Sequence, residues 1–370
     1  MGLSRAGAEK QSHMFPVTPL TKLAGIEFPV IQAPMAGAAS SPELVAAVCN
    51  AGALGSFAEG MSSPDAIRRG IAEVRKRTRK PFNVNLFILD RPKPEAKQVS
   101  RALELLQPIR DDLGLPAVEA PAQYCEDNQA QFEAVLEAGP AVASFTFGIL
   151  GKEQVSALKS RGTLVMGTAT TVAEAKAWEA VGADLVCAQG SEAGAHRGTF
   201  LGDFEAALVG TMALVPQMVD AVRVPVIAAG GIMDGRGIAA SLMLGASGAQ
   251  LGTAFLTCAE SEAAPVWKAA LRGARDDQTR VSRVYSGKPA RGLINEFMLK
   301  LSPVESEIPA YPIQNALTRP IRQAAAKANR PEFMSLWAGQ AAGMSRGLPA
   351  AELVAALVKE TIAALSRASG

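Results

Sequence analysis

The chain has 370 residues, with 37 Lys and Arg against 35 Asp and Glu and a formal net charge of +2 at pH 7. That length supports one barrel-sized domain plus an appendage, and near-neutral charge spread along the chain excludes the basic stripe of a nucleic-acid binder. The four cysteines, Cys49, Cys125, Cys187 and Cys258, form no CxxC pair, and three lie in apolar runs, which fits a reducing, cytoplasmic setting.

Residues 1–19 read as an N-terminal extension without the zones of a signal peptide, with Met14 as an alternative start and His13 in a solvated tail. Beyond it, short apolar β-branched runs alternate with helical patterns. Strands are predicted at 29–33, 53–57, 82–87, 141–146, 163–168, 184–188, 225–229 and 249–253, and helices at 42–51, 65–77, 152–160, 171–181, 204–221 and 234–245. Eight parallel strands with intervening helices predict an α/β fold, a (β/α)8 TIM barrel over residues 20–270. Residues 88–140, too long for one crossover and punctuated by prolines, are expected to be an insertion with two helices after the third strand. The remainder, 271–370, is expected to form a smaller C-terminal helical cap over the active site, with helices near 320–340 and 350–368. The uncharged run 237–259 is long enough to mimic a membrane span, but its Gly, Ser, Thr and Gln content and the turn signal at 245–247 predict a buried helix and then a buried strand. A monomer or homodimer with no membrane or nucleic-acid partner is expected.

The unusual residues follow strands, where barrels carry their chemistry: "APMAG" (33–37), "VNLF" (84–87), "AQGSEAGAHRG" (188–198), "AGGIMDGRG" (229–237) and "QLGTAF" (250–255). Gly230 and Gly231, before a helix starting near Asp234, and the "QLGT" run read as a phosphate cradle. The spacing is not that of a dinucleotide fingerprint. "APMAG" would pass a small-residue backbone along a flat ring, while Asn85 and Gln189 could hydrogen-bond a heterocycle; ordinary burial of two satisfied amides is the alternative. Phosphate plus ring-edge contacts suggest FMN. His196, one of two histidines, titrates near neutrality when unperturbed and lies beside Arg197 and Glu192. No ligand spacing suggests a metal, and no GxSxG nucleophile is present.

Taken together, "QAPMAG", "NVNLF", "AQGSEAGAHRG", "VPVIAAGGIMDGRG" and "GAQLGTAFLTCAESEA" resemble the nitronate monooxygenases, formerly 2-nitropropane dioxygenases, most nearly the class I enzymes, over roughly residues 20–320. The resemblance implies non-covalent FMN and oxidation of alkyl nitronates, such as propionate 3-nitronate, by O2 to a carbonyl compound and nitrite without NAD(P)H. It implies a catalytic role for His196 and FMN contacts at Ala33, Met35, Asn85, Gln189, Gly194, Gly230, Gly231, Gln250, Leu251, Gly252 and Thr253. It also implies a substrate-closing role for Tyr311. Two positions depart from the class I pattern. Ala195 stands where a second glycine is usual, a strained choice if φ is positive there. Thr146 stands where a substrate-facing histidine is common, and a hydroxyl cannot supply positive charge for an anionic nitronate. The same barrel and histidine loop occur in FMN-dependent NAD(P)H:quinone and enoyl-thioester reductases, which supply the alternative activity.

Overall fold

In the computed structural model, which describes residues 15–37, 39–117 and 120–369, the expected strands all form. They are β1 (Val30–Gln32), β2 (Ser56–Ala58), β3 (Asn83–Phe87), β4 (Val142–Thr146), β5 (Leu164–Ala169) and β6 (Leu185–Gln189), then, after the two-residue β7 (Ala195–His196), β8 (Val226–Ala229) and β9 (Gly248–Leu251). Eight of them pair in the order β1-β9-β8-β6-β5-β4-β3-β2, and all eight run parallel. The sheet closes on itself because Leu54 N donates to Val30 O and Gln32 N to Leu54 O, both at 2.9 Å. This is the predicted (β/α)8 barrel.

Local chemistry explains where the helices begin. Around the N-terminal end, α1 (Pro19–Ala24) packs Leu20 and Ala24 into the barrel floor beside Ile31, Met166 and Ile227. Ser41 and Ser63 cap α2 (Pro42–Asn50) and α3 (Pro64–Arg77) by accepting the Leu44 and Ala66 N–H groups, and each helix starts on a proline that needs no acceptor. The segment after β3 holds α4 (Ala96–Asp112) and α5 (Asn128–Ala138), and α6 (Lys152–Ser160), α7 (Val172–Ala180), α8 (Thr211–Ala221) and α9 (Gly235–Met243) continue the outer ring. The last third contains α10 (Thr253–Leu256), α11 (Pro265–Arg272), β10 (Thr279–Ser282), β11 (Ala290–Leu293), α12 (Glu296–Leu301), α13 (Ile313–Lys327) and α14 (Ala350–Ser369). The run 237–259 resolves into α9, β9 and α10, and no helix among the described residues is long and apolar enough to cross a membrane.

Four expectations need correction. Of the two helices in 88–140, α5 packs on α3 and β3 as an ordinary barrel helix, while α4 alone leaves the barrel. Its Val99, Ala102, Leu106 and Ile109 join a second core with Trp267, Leu271, Phe297 and Leu317. The final helix is not part of the cap: α10 is a single turn and cannot cover β9, so the apolar stripe Leu353, Val354, Leu357 and Val358 of α14 fills that place against α9 and α2. At the other end, Phe15 is buried in the barrel core with its ring 5.8 Å from Phe28, so the extension does not reach residue 19; His13 and Met14 lie outside the described residues. The helix expected from 204 starts only at Thr211, where Glu192 accepts from both the Thr211 N–H (2.9 Å) and its hydroxyl (2.8 Å). Glu192 therefore anchors a helix start.

One buried carboxylate ties the histidine loop to the barrel. Glu174 on α7 accepts from Thr170 N and Oγ1 and from Phe200 N and Leu201 N, four donors within 2.9 Å. Glu174→Ala removes the acceptor of all four donors, those of Thr170 being fully buried, and is expected to lower stability by roughly 3 kcal/mol. A urea midpoint unchanged from the parent would contradict this.

Candidate active site

The C-terminal ends of the strands open into a cavity roofed by the second core. Strand alternation decides which predicted residues reach it. Ala33, Met35, Asn85, Gln189, Gly194, His196, Gly230, Gly231, Gln250, Gly252, Thr253 and Thr146 all line it. Leu251 does not. With Gln250 and Gly252 facing inward, the period of two sends its side chain the other way, into the core between strands and helices. Tyr311 lines a separate outer cleft, yet its ring centroid lies 5.6 Å from that of His196 and 5.5 Å from that of Phe147.

The histidine loop is held from both sides. Ala195 and His196 form β7, which pairs antiparallel with β11 and so joins a three-stranded sheet with β10 in the cap. Beneath it, Gln189 donates to His196 O (3.0 Å) and accepts from Gly198 N (2.8 Å). One donor and one lone pair of the Gln189 amide thus brace its own loop. Arg197, next to the histidine in sequence, points inward and donates to Gly190 O, Gln189 O and Ala207 O. Ala195 has φ of 60°, the left-handed conformation that penalises a side chain. Ala195→Gly is expected to raise stability by roughly 0.5–1 kcal/mol, because relief of φ strain exceeds the extra freedom glycine gains when unfolded. A lower Tm would refute it.

The His196 ring sits among Trp337, Phe147 and Tyr311, with centroids at 5.3, 5.5 and 5.6 Å, and its Nε2 is 2.8 Å from Ser286 Oγ. Ser286 Oγ donates its own proton to Lys288 O at 3.1 Å. With its proton placed there, it accepts from His196 Nε2–H, and in that tautomer Nδ1 is the ring's proton acceptor. Burial, then the positive charges of Lys288 and Arg322, disfavour the imidazolium and lower its pKa to about 3. His196 is neutral throughout the physiological range.

The phosphate end also differs from expectation. Asp234 caps α9, its carboxylate accepting from Arg236 N and Gly237 N, so that helix start is already occupied by an anion. Two other groups of donors remain. The backbone N–H groups of Gly231, Ile232 and Met233 have no protein acceptor among the described residues, and the first turn of α10 at Gly252–Thr253 carries no side-chain cap. Gly230 and Gly231 have φ of 120° and 70°, which L side chains rarely adopt. Farther in, Gln250 Oε1 is buried without a partner, and Asn85 uses its NH2 on Ser144 O and Oγ while Oδ1 receives no protein donor. Unpartnered donors at one end and amide oxygens at the other match a ligand with a phosphate and a heterocycle bearing N–H groups. Among the described residues, no Asp or Glu lines the cavity and no group of three or more His, Cys, Asp or Glu could hold a metal.

Several lining residues carry no local sequence signal. Trp337, Arg322, Asn315 and the neighbouring Ser286 come from the cap, more than 80 positions beyond His196. One trace was available: Asn315, Thr318 and Arg322 follow helical spacing, placing polar groups on one stripe beside the apolar stripe of Leu317 and Ile321.

Comparison with known proteins agrees with this geometry. The nitronate monooxygenase family model matches residues 17–360. The protein named "Probable nitronate monooxygenase" from Staphylococcus saprophyticus is 42% identical over 355 residues, covering 95% of this chain and 99% of the relative. A Staphylococcus haemolyticus protein of the same name is 43% identical over 345 residues, covering 92% and 96%. The crystal structure of nitroalkane oxidase from Streptomyces ansochromogenes is similar with a TM-score of 0.88, 41% identity, and coverage of 94% of this chain and 99% of that one. FabK from Thermotoga maritima is more distant, with a TM-score of 0.75, 30% identity, and coverage of 95% and 98%.

Proposed function

Since the chain belongs to the nitronate monooxygenase family and is an oxidoreductase, we propose that it binds FMN and oxidises alkyl nitronates such as propionate 3-nitronate with O2, giving a carbonyl compound and nitrite. The observation that carries this reading is the pairing in one cavity of unpartnered backbone donors at Gly231–Met233 with orphaned or free amide oxygens on Gln250 and Asn85, beside His196. The donors suit a phosphate, and the amide oxygens suit ring N–H groups. Ala33, Met35, Gly194, Gly230, Gly252 and Thr253 would form the walls of the flavin site, and Gln189 would hold the histidine loop against it. Bound FMN would supply the redox chemistry.

The chain's own residues would do the rest. His196 Nδ1 would accept a proton from a neutral nitroalkane, or position a preformed nitronate, in the tautomer whose Nε2–H donates to Ser286 Oγ. Phe147, Trp337 and Tyr311 would exclude water from the substrate. The four cysteines are free thiols, which supports a cytoplasmic setting.

The test is the colour of the purified protein, the cofactor released on denaturation, and nitrite formation from propionate 3-nitronate in air without NAD(P)H. A colourless protein that cannot be reconstituted with FMN would overturn the reading. Anaerobic flavin bleaching by NADH, with no nitrite from nitronates, would replace it with the reductase activity.

A further inference from the structure

Arg322 on α13 reaches the cavity from the cap, and it is the one Lys or Arg among the described residues that line it. One of its terminal nitrogens, Nη2, donates to Asn315 O (2.9 Å) and Asn315 Oδ1 (2.8 Å). Its Nε is buried with no partner, Nη1 has no protein acceptor, and no carboxylate forms an ion pair with it among the described residues. The charged or ionisable groups that act on it are the phenols of Tyr311 and Tyr285 and the like-charged Arg319. A buried guanidinium is normally paired, because desolvation of an uncompensated charge is expensive. A second cation, Lys288, lines the separate outer cleft, its ammonium 4.9 Å from the Phe147 ring and donating to Thr199 O at 3.1 Å, without a carboxylate in ion-pair range. Neutral Thr146 also lines the cavity, and none of the described residues on its wall is Asp or Glu.

We propose that Arg322 is the anion-recognising residue at the substrate end of this cavity, its partner-free Nη1 taking an anionic oxygen of the substrate, a nitronate or a carboxylate. This rests on the flavin-dependent reading above. A charged N–H donor without a protein acceptor favours an anionic oxygen over a neutral one, because the pair compensates the buried charge. Asn315 holds the guanidinium through Nη2, and its own Nδ2 lies 3.7 Å from Sδ of Met61, another wall residue. The positive charge absent at Thr146 is thereby supplied from the roof.

The experiment uses FMN-loaded protein and two inert probes of the same shape, propionate and propionamide, titrated while the flavin spectrum is followed. Parent protein is expected to bind propionate more tightly than propionamide. Arg322→Met should weaken propionate by at least about tenfold and leave propionamide unchanged, and Arg322→Lys should restore part of the loss. KM values for ethyl nitronate and propionate 3-nitronate then separate the two anions. A rise for both in Arg322→Met assigns the guanidinium to the nitronate, and a rise for the second alone assigns it to the carboxylate. Equal binding of both probes by the parent, unchanged propionate binding by both variants, or loss of FMN from both variants would overturn the proposal. Failure of the parent to hold FMN would instead remove the functional reading on which it stands.

Discussion

His196→Asn is expected to lower kcat/KM for neutral nitroethane by roughly 10²–10⁴-fold while changing the rate with preformed ethyl nitronate by less than about tenfold. The asymmetry follows from the ring's state. The neutral ring carries one unprotonated nitrogen, Nδ1 in the tautomer whose Nε2–H donates to Ser286 Oγ, and an asparagine has no basic nitrogen to replace it. With the nitronate the proton is already gone, and only positioning is lost. The pH dependence supplies an independent check. The pKa of His196 is lowered to about 3 by burial, Lys288 and Arg322. A lowered pKa means that the neutral, proton-accepting form persists as pH falls, so kcat/KM for nitroethane should stay flat between about pH 8 and about pH 5. A histidine at its ordinary value near 6.5 would lose about thirtyfold over that interval. An inflection near 6.5 that disappears in His196→Asn would show that the free enzyme does not hold the ring as the geometry implies. Equal losses with both substrates would reduce His196 to a positioning residue.

What was legible in the sequence, and what was not, divides along the range of the interactions involved. Each barrel strand is a short apolar run bounded by turns, and the glycine-rich loops announce themselves locally, so the barrel, the loop of His196 and the glycines at 230–231 could all be read in advance. Leu251 was misplaced because motif resemblance treats "QLGT" as one unit, whereas a strand alternates and sends Leu251 outward. Asp234 looked like the start of an anion site, but its own carboxylate fills the helix terminus. Placing α14 required knowing that α10 is one turn long and leaves β9 uncovered. Ser286, Arg322 and Trp337 were invisible because they meet His196 only through the pairing of β7 with β11 and the packing of the cap core. Ala195 was the reverse case: its departure from the glycine pattern pointed to a strained φ, and the backbone there is left-handed.

Gly194→Ala is expected to weaken FMN binding by roughly 10–100-fold with little loss of barrel structure. A Cβ on Gly194 would lie 2.6 Å from both Ala338 C and Gly339 N and 3.1 Å from Ala338 Cα. These are backbone atoms, so no side-chain rotation relieves the clash. Nor can the facing strand of chain move cheaply. Ala338 N donates to Arg291 O (3.2 Å), Gln340 N to Glu192 O (3.0 Å), and Gly339 N to Thr253 Oγ1 (3.0 Å). Displacing it pulls on three places at once: the cap sheet behind His196, the loop that anchors α8, and Thr253 at the uncapped turn assigned to phosphate. The barrel strands are not among them, so the loss should fall on the ligand and on the seal between cap and barrel. The measurement is the FMN dissociation constant from flavin fluorescence, alongside far-UV circular dichroism. Gly151→Ala is the control, because a Cβ there meets nothing closer than 3.4 Å at a helix start outside the cavity; it should bind FMN as the parent does. Parent-like FMN affinity in Gly194→Ala would mean that the contact between residue 194 and segment 338–339 does not shape the flavin site.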